Sequence, residues 1–289
     1  YRMKTICIAG KNSIAVNSLK YILEKYSEYR IVCIVNPTDT GIDSWQPSLK
    51  KYAKENQIEI VSLDKLYSLE DLYFISLEYS EIIKPFMFKS SQLYNIHFSK
   101  LPKYKGMYTS ALPLLNGETE TGVTLHKIEA GIDTGNIIDQ TTISIELSDN
   151  SRSLYHKYLD YAYKLFTKNF FSLLTNTFSD YPQPNVGSSY FSKRSINYAA
   201  LEIDLRKTAY EIHNQFRAFT FREYQMPKFN NWQIIRTEIT TNKSIKKPGT
   251  IICENDEFFY WLQLIMILFC IRIIIQSYGT LLKLAIFRN

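Results

Sequence analysis

What the chain has little of narrows its chemistry first. Cysteine occurs four times in 289 residues, at 7, 33, 253 and 270, and no pair stands at CxxC spacing. Neither a zinc site nor a disulfide framework is indicated. Cys7 and Cys33 lie inside apolar runs, as core residues do, and a reducing cytoplasm fits this usage. Histidine is as scarce, with four. His156 and His213 fall on predicted helices without a second histidine one turn on, so no metal is expected. Charge is scattered: the net is +6, yet no block of five or six basic residues occurs. That balance favours anionic partners such as phosphates and nucleotides, and no nucleic-acid stripe is indicated. No G-x-G-x-x-G or GK[ST] pattern follows the first apolar run, which argues against a dinucleotide fingerprint or a phosphate loop. The longest uncharged run, 258–271, is 14 residues. A membrane span needs about 20, so stable membrane insertion is not expected. The opening YRMKTICIAGKNS has too short an apolar run for a signal peptide.

What is present suits a globular α/β chain. Apolar residues make up 45%, with 22 Tyr and 17 Phe, enough for a bulky core. KTICIAG (4–10) reads as a buried strand, 13–29 as a helix, and RIVCIVNP (30–37) as a second buried strand. Strand, helix and strand so close together make a βαβ unit and hence a parallel, Rossmann-like sheet. A helix is expected over 44–57. Strands are expected at IEIV, 71–76, 93–98, 121–128 and 135–145, followed by a long amphipathic helix over 148–178. The Pro-, Gly- and Ser-rich stretch 179–195 reads as a linker, 207–221 as a short helix, and the segments after it as a small β module. The tail 258–289 is apolar with little alternation. It reads as a poor continuation of a half-exposed β module, and as a frame-altered or truncated C-terminus.

Chemistry gathers in YNIHFSKLPKYKGMYTS (94–110). Asn95, His97 and Ser99 share one face of a strand, because side chains alternate. Asn95 and His97 then lie about 6.5–7 Å apart along it. The strand breaks at Pro102 and turns at Gly106. Ligands of α/β sheets bind beyond the carboxyl ends of the strands, which is where this pair falls. An amide and an imidazole there can hold a developing oxyanion, as in acyl transfer. The loop EAGIDTG supplies a carboxylate, Asp133, between Gly131 and Gly135. Each feature taken singly also has a plain structural reading, as a hydrogen-bonded strand histidine or a simple turn. His126 is open to lining the site or to simple packing, with packing the favoured reading.

The segments NIHFSKLPKYKG and NGETETGVTLHKIEAGIDTGNII resemble the formyltransferases that use 10-formyltetrahydrofolate. Methionyl-tRNA, glycinamide ribonucleotide and sugar N-formyltransferases share the pattern. The match lies in Asn95, His97, Leu101, Pro102, Gly106, Asp133 and Gly135, in the expected order. The resemblance implies formyl transfer from 10-formyltetrahydrofolate, as co-substrate, to a primary amine. Asn95 and His97 would stabilise the oxyanion, and Asp133 would orient His97 or a water. FISLEYSEIIKP (74–85) resembles the segment that cradles the pterin, which implies cofactor contacts at Ser76, Leu77, Glu78, Tyr79, Ile128 and Asp133. SSYFSKRSIN and HNQFRAFTFREYQMPKF resemble sugar N-formyltransferases that act on dTDP-amino sugars for surface polysaccharide such as O-antigen. By that resemblance Tyr190, Lys193, Arg194, Asn214, Arg217, Tyr224 and Gln225 would hold the nucleotide and its diphosphate. The implied substrate is dTDP-4-amino-4,6-dideoxyglucose, with 3-amino sugars and the fucose epimer open, and the implied form is a cytoplasmic homodimer. Residues 1–180 are then the catalytic domain, and 181–289 a linker, short helix and β module. The alternative is a methionyl-tRNA formyltransferase, whose basic C-terminal barrel grips RNA. Here the module carries Lys243, Lys246 and Lys247 and then turns apolar.

Overall fold

The strands β1 (Thr5–Gly10, TICIAG) and β4 (Leu72–Leu77, LYFISL) are buried along their whole length. Strands covered on both faces read as continuous apolar runs, which is why neither alternates. The computed structural model describes residues 3–229, 232–243, 251–254, 258–262 and 266–273. Helix α1 (Asn12–Lys25) turns Ile14, Leu19 and Ile22 inward. It leads into β2 (Arg30–Val35), parallel to β1, and closes the βαβ unit. Helix α2 (Leu49–Glu55) is shorter than expected, because Ser48 caps it by accepting from the Lys51 N–H and the chain before it is loop. The edge strand β3 (Glu59–Ile60) is brief.

Strand β5 (Leu93–His97) lies parallel to β4. From there the sheet departs from a parallel array. The chain passes through the short strand β6 (Lys105–Gly106) and one helical turn, α3 (Leu112–Leu115). Then β7 (Glu120–Lys127) runs antiparallel to β5, and β8 (Ile137–Ser144) antiparallel to β7. The order is β3-β2-β1-β4-β5-β7-β8, a mixed seven-stranded sheet. A parallel return needs a crossover long enough to carry the chain back along the sheet, and α3 is too short to provide one. Helix α4 (Ser151–Thr175) starts at a capping box of Asn150 and Ser153 and ends at Asn176 in the left-handed region. Its Leu154, Tyr158, Leu165 and Phe166 are buried against α1, β7 and β8. Alternate residues of β1 serve two apolar layers. Ile6 and Ile8 face α1 and α4, while Cys7 and Ala9 face a smaller cluster with Phe74 and Phe88.

The stretch expected to be a linker is tied to this sheet. Tyr181 bridges Ile137, and β9 (Tyr190–Phe191) pairs parallel with β6. Helix α5 (Ala209–Ala218) follows, opened by a capping box of Thr208 and Glu211. The remaining described strands are β10 (Lys228–Phe229), β11 (Trp232–Lys243), β12 (Ile251–Glu254), β13 (Phe258–Leu262) and β14 (Met266–Ile273). They form an antiparallel sheet in the order β10-β11-β14-β13-β12. The first part of the apolar tail is thus paired β structure, contrary to the reading of it as a poor strand. FFYWL and MILFCIRI are dense in aromatic and branched side chains, which favour strands even without alternation. The rest of the tail, 274–289, lies outside the described residues. Among the described residues no helix is long and apolar enough to cross a membrane.

Candidate active site

Strand β5 delivers Asn95 and His97 to the carboxyl end of the sheet. The antiparallel register sets Asn95 opposite His126 and His97 opposite Thr124. Thr124 anchors the chain that leaves β5. Its hydroxyl donates to the Ser99 carbonyl at 2.7 Å and accepts from the Leu101 N–H at 3.2 Å. The loop then turns back, and the Tyr104 carbonyl accepts a hydrogen bond from His97 Nε2 at 2.8 Å. Gly106 takes φ +87°, and a Cβ there would stand 2.3 Å from the Phe191 carbonyl oxygen. Only glycine fits this turn.

Asp133 occupies the centre, itself in the left-handed region at φ 53°. Its Oδ2 accepts from the Gly106 N–H at 2.9 Å and lies 3.4 Å from His97 Nδ1. Its Oδ1 accepts from Asn95 Nδ2 at 3.4 Å and lies 3.5 Å from His126 Nε2. Gln183 braces this loop by donating to the carbonyls of Asp133 and Gly135, at 2.7 and 2.9 Å. Burial by itself raises the Asp133 pKa. The imidazoles of His97 and His126 when protonated, with the Gly106 N–H, outweigh it and hold the carboxyl well below the usual carboxylate range. Asp133 is therefore an anion. A carbonyl can only accept, so His97 carries a proton on Nε2, and His126, which donates to the Lys127 carbonyl at 2.7 Å, carries one on Nδ1.

These side chains floor a cleft of about 570 Å³. Of the residues singled out in the sequence, Ser76, Glu78, Tyr79, Asn95, His97, Ile128, Asp133, Tyr190 and Lys193 line it. Leu77 does not, since its side chain is in the core. Glu78 sits at φ 61° and accepts from the Tyr155 hydroxyl at 2.9 Å. Tyr155 in turn accepts from Asn12 Nδ2 at 2.5 Å. Burial, and then the Glu78 charge, push the Tyr155 phenol well above its ordinary pKa. Arg194 is exposed in the loop beyond Lys193 and is not among the lining residues.

Asn214 and Arg217 are not brought to this cleft. Both are buried on α5. The guanidinium donates to Asn214 Oδ1 and to the Glu146 carbonyl, each at 2.9 Å, which fastens α5 to the loop before α4. Arg217 faces a separate cavity between α5 and β11. Tyr224 and Gln225 do not line the cleft and form a turn with Phe221, whose ring stands 5.8 Å from that of the lining residue Tyr155. The Tyr224 ring stands 4.8 Å from Phe221 and 5.9 Å from Trp45, and Trp45 reaches Tyr155 at 5.8 Å. Tyr155 and Lys11 also line the cleft and were not expected there, while His126, which the sequence left between packing and lining the site, lines it. For His126 the parity of β7 was the available signal, because it alternates with Thr124 and Ile128. Among the described residues no group of His, Cys, Asp and Glu is placed to hold a metal ion.

Such an amide, imidazole and carboxylate, gathered at the end of a strand, can hold a developing oxyanion and move a proton beside it. Residues 38–169 match the formyl transferase family. The crystal structure of WlaRD, a sugar 3N-formyl transferase solved with dTDP and 5-N-formyl-THF, is 47% identical. Its TM-score is 0.89, over 94% of this chain and 98% of that one. The chain belongs to the formyl transferase family and is a formyl-transferring enzyme. The N-formyltransferase of Helicobacter canadensis, in complex with folinic acid and dTDP-3-aminofucose, is 44% identical. Its TM-score is 0.87, over 94% of this chain and 100% of that one. The bifunctional polymyxin resistance protein ArnA of Wigglesworthia glossinidia brevipalpis is 34% identical over 197 residues, which is 67% of this chain and 30% of that protein. The chain thus spans less than a third of that relative.

Proposed function

We propose that the enzyme transfers a formyl group from 10-formyltetrahydrofolate to the amine of a dTDP-linked 3-amino sugar. The observation that carries this is the meeting of Asn95, His97 and an ionised Asp133 on the floor of one cleft. The cleft has a wall of Ile82, Ile83 and Ile128 that suits a pterin ring, beside the backbone of Ser76 to Tyr79. Lys11 and Lys193 line the same cleft, and their ammonium groups suit a diphosphate. The rings of Trp45, Phe221 and Tyr224 next to it suit a pyrimidine.

His97 commits Nε2 to the Tyr104 carbonyl, so Nδ1 is the nitrogen left to take a proton. In this reading the neutral amine attacks the formyl carbon while Nδ1 accepts a proton from it. The Asp133 carboxylate beside Nδ1 stabilises the imidazolium that results. Held as low as it is, Asp133 is a poor base and acts through its charge. The new Nδ1–H faces the oxyanion and then returns the proton to N10 as the carbon–N10 bond breaks. The products are a formamide and tetrahydrofolate.

The 3-amino position is favoured over the 4-amino-4,6-dideoxyglucose expected from the sequence. The two structures most alike here are a sugar 3N-formyl transferase and a complex with dTDP-3-aminofucose. A cytoplasmic homodimer and a part in surface polysaccharide assembly belong to the same proposal. The test is incubation with 10-formyltetrahydrofolate and a panel of dTDP-3-amino and dTDP-4-amino sugars, with formylmethionine formation on initiator tRNA as a control. A gain of one formyl mass on a 3-amino sugar is expected. Formylation of the tRNA alone would overturn the proposal.

A further inference from the structure

Among the groups on the cleft floor, His126 is unused by the chemistry above. It is 2% exposed, yet it stands opposite Asn95 across the β5/β7 pair. Its Nδ1 donates to the Lys127 carbonyl at 2.7 Å, so in the neutral ring its Nε2 presents a lone pair. That lone pair lies 3.1 Å from the Asn95 side-chain nitrogen and 3.5 Å from Asp133 Oδ1. A charged imidazolium would close on the carboxylate to about 2.7–2.9 Å. Nε2 instead sits nearer the amide, as an acceptor does. Asn95 therefore faces two acceptors, the imidazole lone pair and the Asp133 anion. Its NH2 group has two hydrogens to meet them. The opposite orientation would set the carbonyl oxygen against both, with no donor between. Among the described residues, Asn95 Oδ1 has no hydrogen-bond partner, and Asn95 lines the cleft.

We infer that His126 is a positioning residue that fixes the polarity of Asn95, turning the NH2 inward and leaving Oδ1 to accept an N–H from the attacking amine. This reverses the role that the motif implied for Asn95, which was to donate to the oxyanion. Oδ1 then orients the amine lone pair towards the formyl carbon without taking its proton, which goes to His97. The inference rests on the proposed amine acceptor, but the tautomer of His126 does not depend on it.

The test has an arm for each. The full chain, labelled with 15N-histidine and free of substrate, is read by two-dimensional NMR at neutral pH. The His126 signals, assigned by their loss in His126→Gln, should show a protonated Nδ1 and a bare Nε2. A protonated Nε2 overturns the inference whatever the kinetics of the variants. In the second arm His126→Phe keeps the size and removes the acceptor. A misplaced Asn95 should lower kcat about 100-fold, with KM for both substrates within about 3-fold. His126→Gln, whose Oε1 reaches where Nε2 stood, should recover at least about tenfold of that loss. Wild-type kcat in the Phe variant, or no rescue by Gln in a protein that melts normally, overturns the inference. Failure of the wild type to formylate any amino sugar would sink the proposed function and leave the NMR arm to decide the tautomer.

Discussion

The floor and the rim of the cleft differ in where their hydrogen bonds go. On the floor, His97, His126 and Asp133 find partners in the protein, and each ring nitrogen or carboxylate oxygen faces another protein atom within 3.5 Å. On the rim, Tyr190 is 55% exposed. Lys193 is exposed too, and among the described residues its ammonium has no ion pair. A site that must steer a proton is held ready before the substrate comes, since reorganisation during the reaction would raise the barrier. A site that must seize and release a charged ligand can leave its cations in water until then.

The sharpest way to break this comparison is on the floor. Asp133→Asn removes the charge beside His97 and should cut turnover by about 10³-fold. Binding of dTDP, followed by calorimetry, should change little. The same substitution has a pH signature. The folded carboxyl titrates below its ordinary range, so it stabilises the fold above about pH 4, and that contribution is lost as pH falls through the lower folded value. Asp133→Asn should flatten the acid side of the melting-temperature profile.

A smaller effect is expected where the floor is shaped by backbone. Gly106→Ala places a Cβ 2.3 Å from a carbonyl oxygen at φ +87°. It should cost about 2 kcal/mol of stability in urea melts and reduce kcat by shifting the N–H that Asp133 accepts. At the rim, Lys193→Ala should raise KM for the nucleotide sugar about tenfold. It should leave kcat alone and reduce the salt dependence of binding. An equal loss in kcat would show that rim and floor are not separate.

The smallest effect concerns a histidine remote from both. His213 donates from Nε2 to the Leu147 carbonyl at 2.9 Å and accepts at Nδ1 from the Thr237 hydroxyl at 2.7 Å. Burial lowers its pKa. The folded chain resists the proton while the unfolded chain takes it, so stability should fall as pH drops below about 6.5. His213→Gln should remove roughly 1 kcal/mol or less of that pH dependence without altering turnover.

Much of this was legible in the sequence, and the limits are physical. The βαβ start could be read because buried parallel strands are apolar without a break. Asn95, His97 and Asp133 could be read because strand parity and a glycine-flanked turn fix where they point. His126 stayed between packing and lining the site because its meaning lies in register. Nothing local in TGVTLHKI says which residue of β5 stands across from it. Asn214 and Arg217 are legible as polar residues on an amphipathic helix. Their burial follows from β11 and the loop before α4, which close over α5 from both directions in sequence. The tail misled because alternation was taken as the mark of a strand, whereas its branched and aromatic content was the better guide.

The parallel pair of β6 and β9 has a practical consequence. The Ser189 carbonyl accepts from the Lys105 N–H at 2.9 Å, and the Phe191 carbonyl accepts from the Met107 N–H at 2.9 Å. The strap that presents Tyr190 thus also grips the turn whose Tyr104 carbonyl pins His97. Gly187, two residues before the strap, has nothing within 4 Å of where a Cβ would be. A peptide tag spliced in at Gly187 would ride harmlessly on the surface. The same tag spliced between Ser189 and Phe191 would silence the enzyme with every reactive side chain still in place.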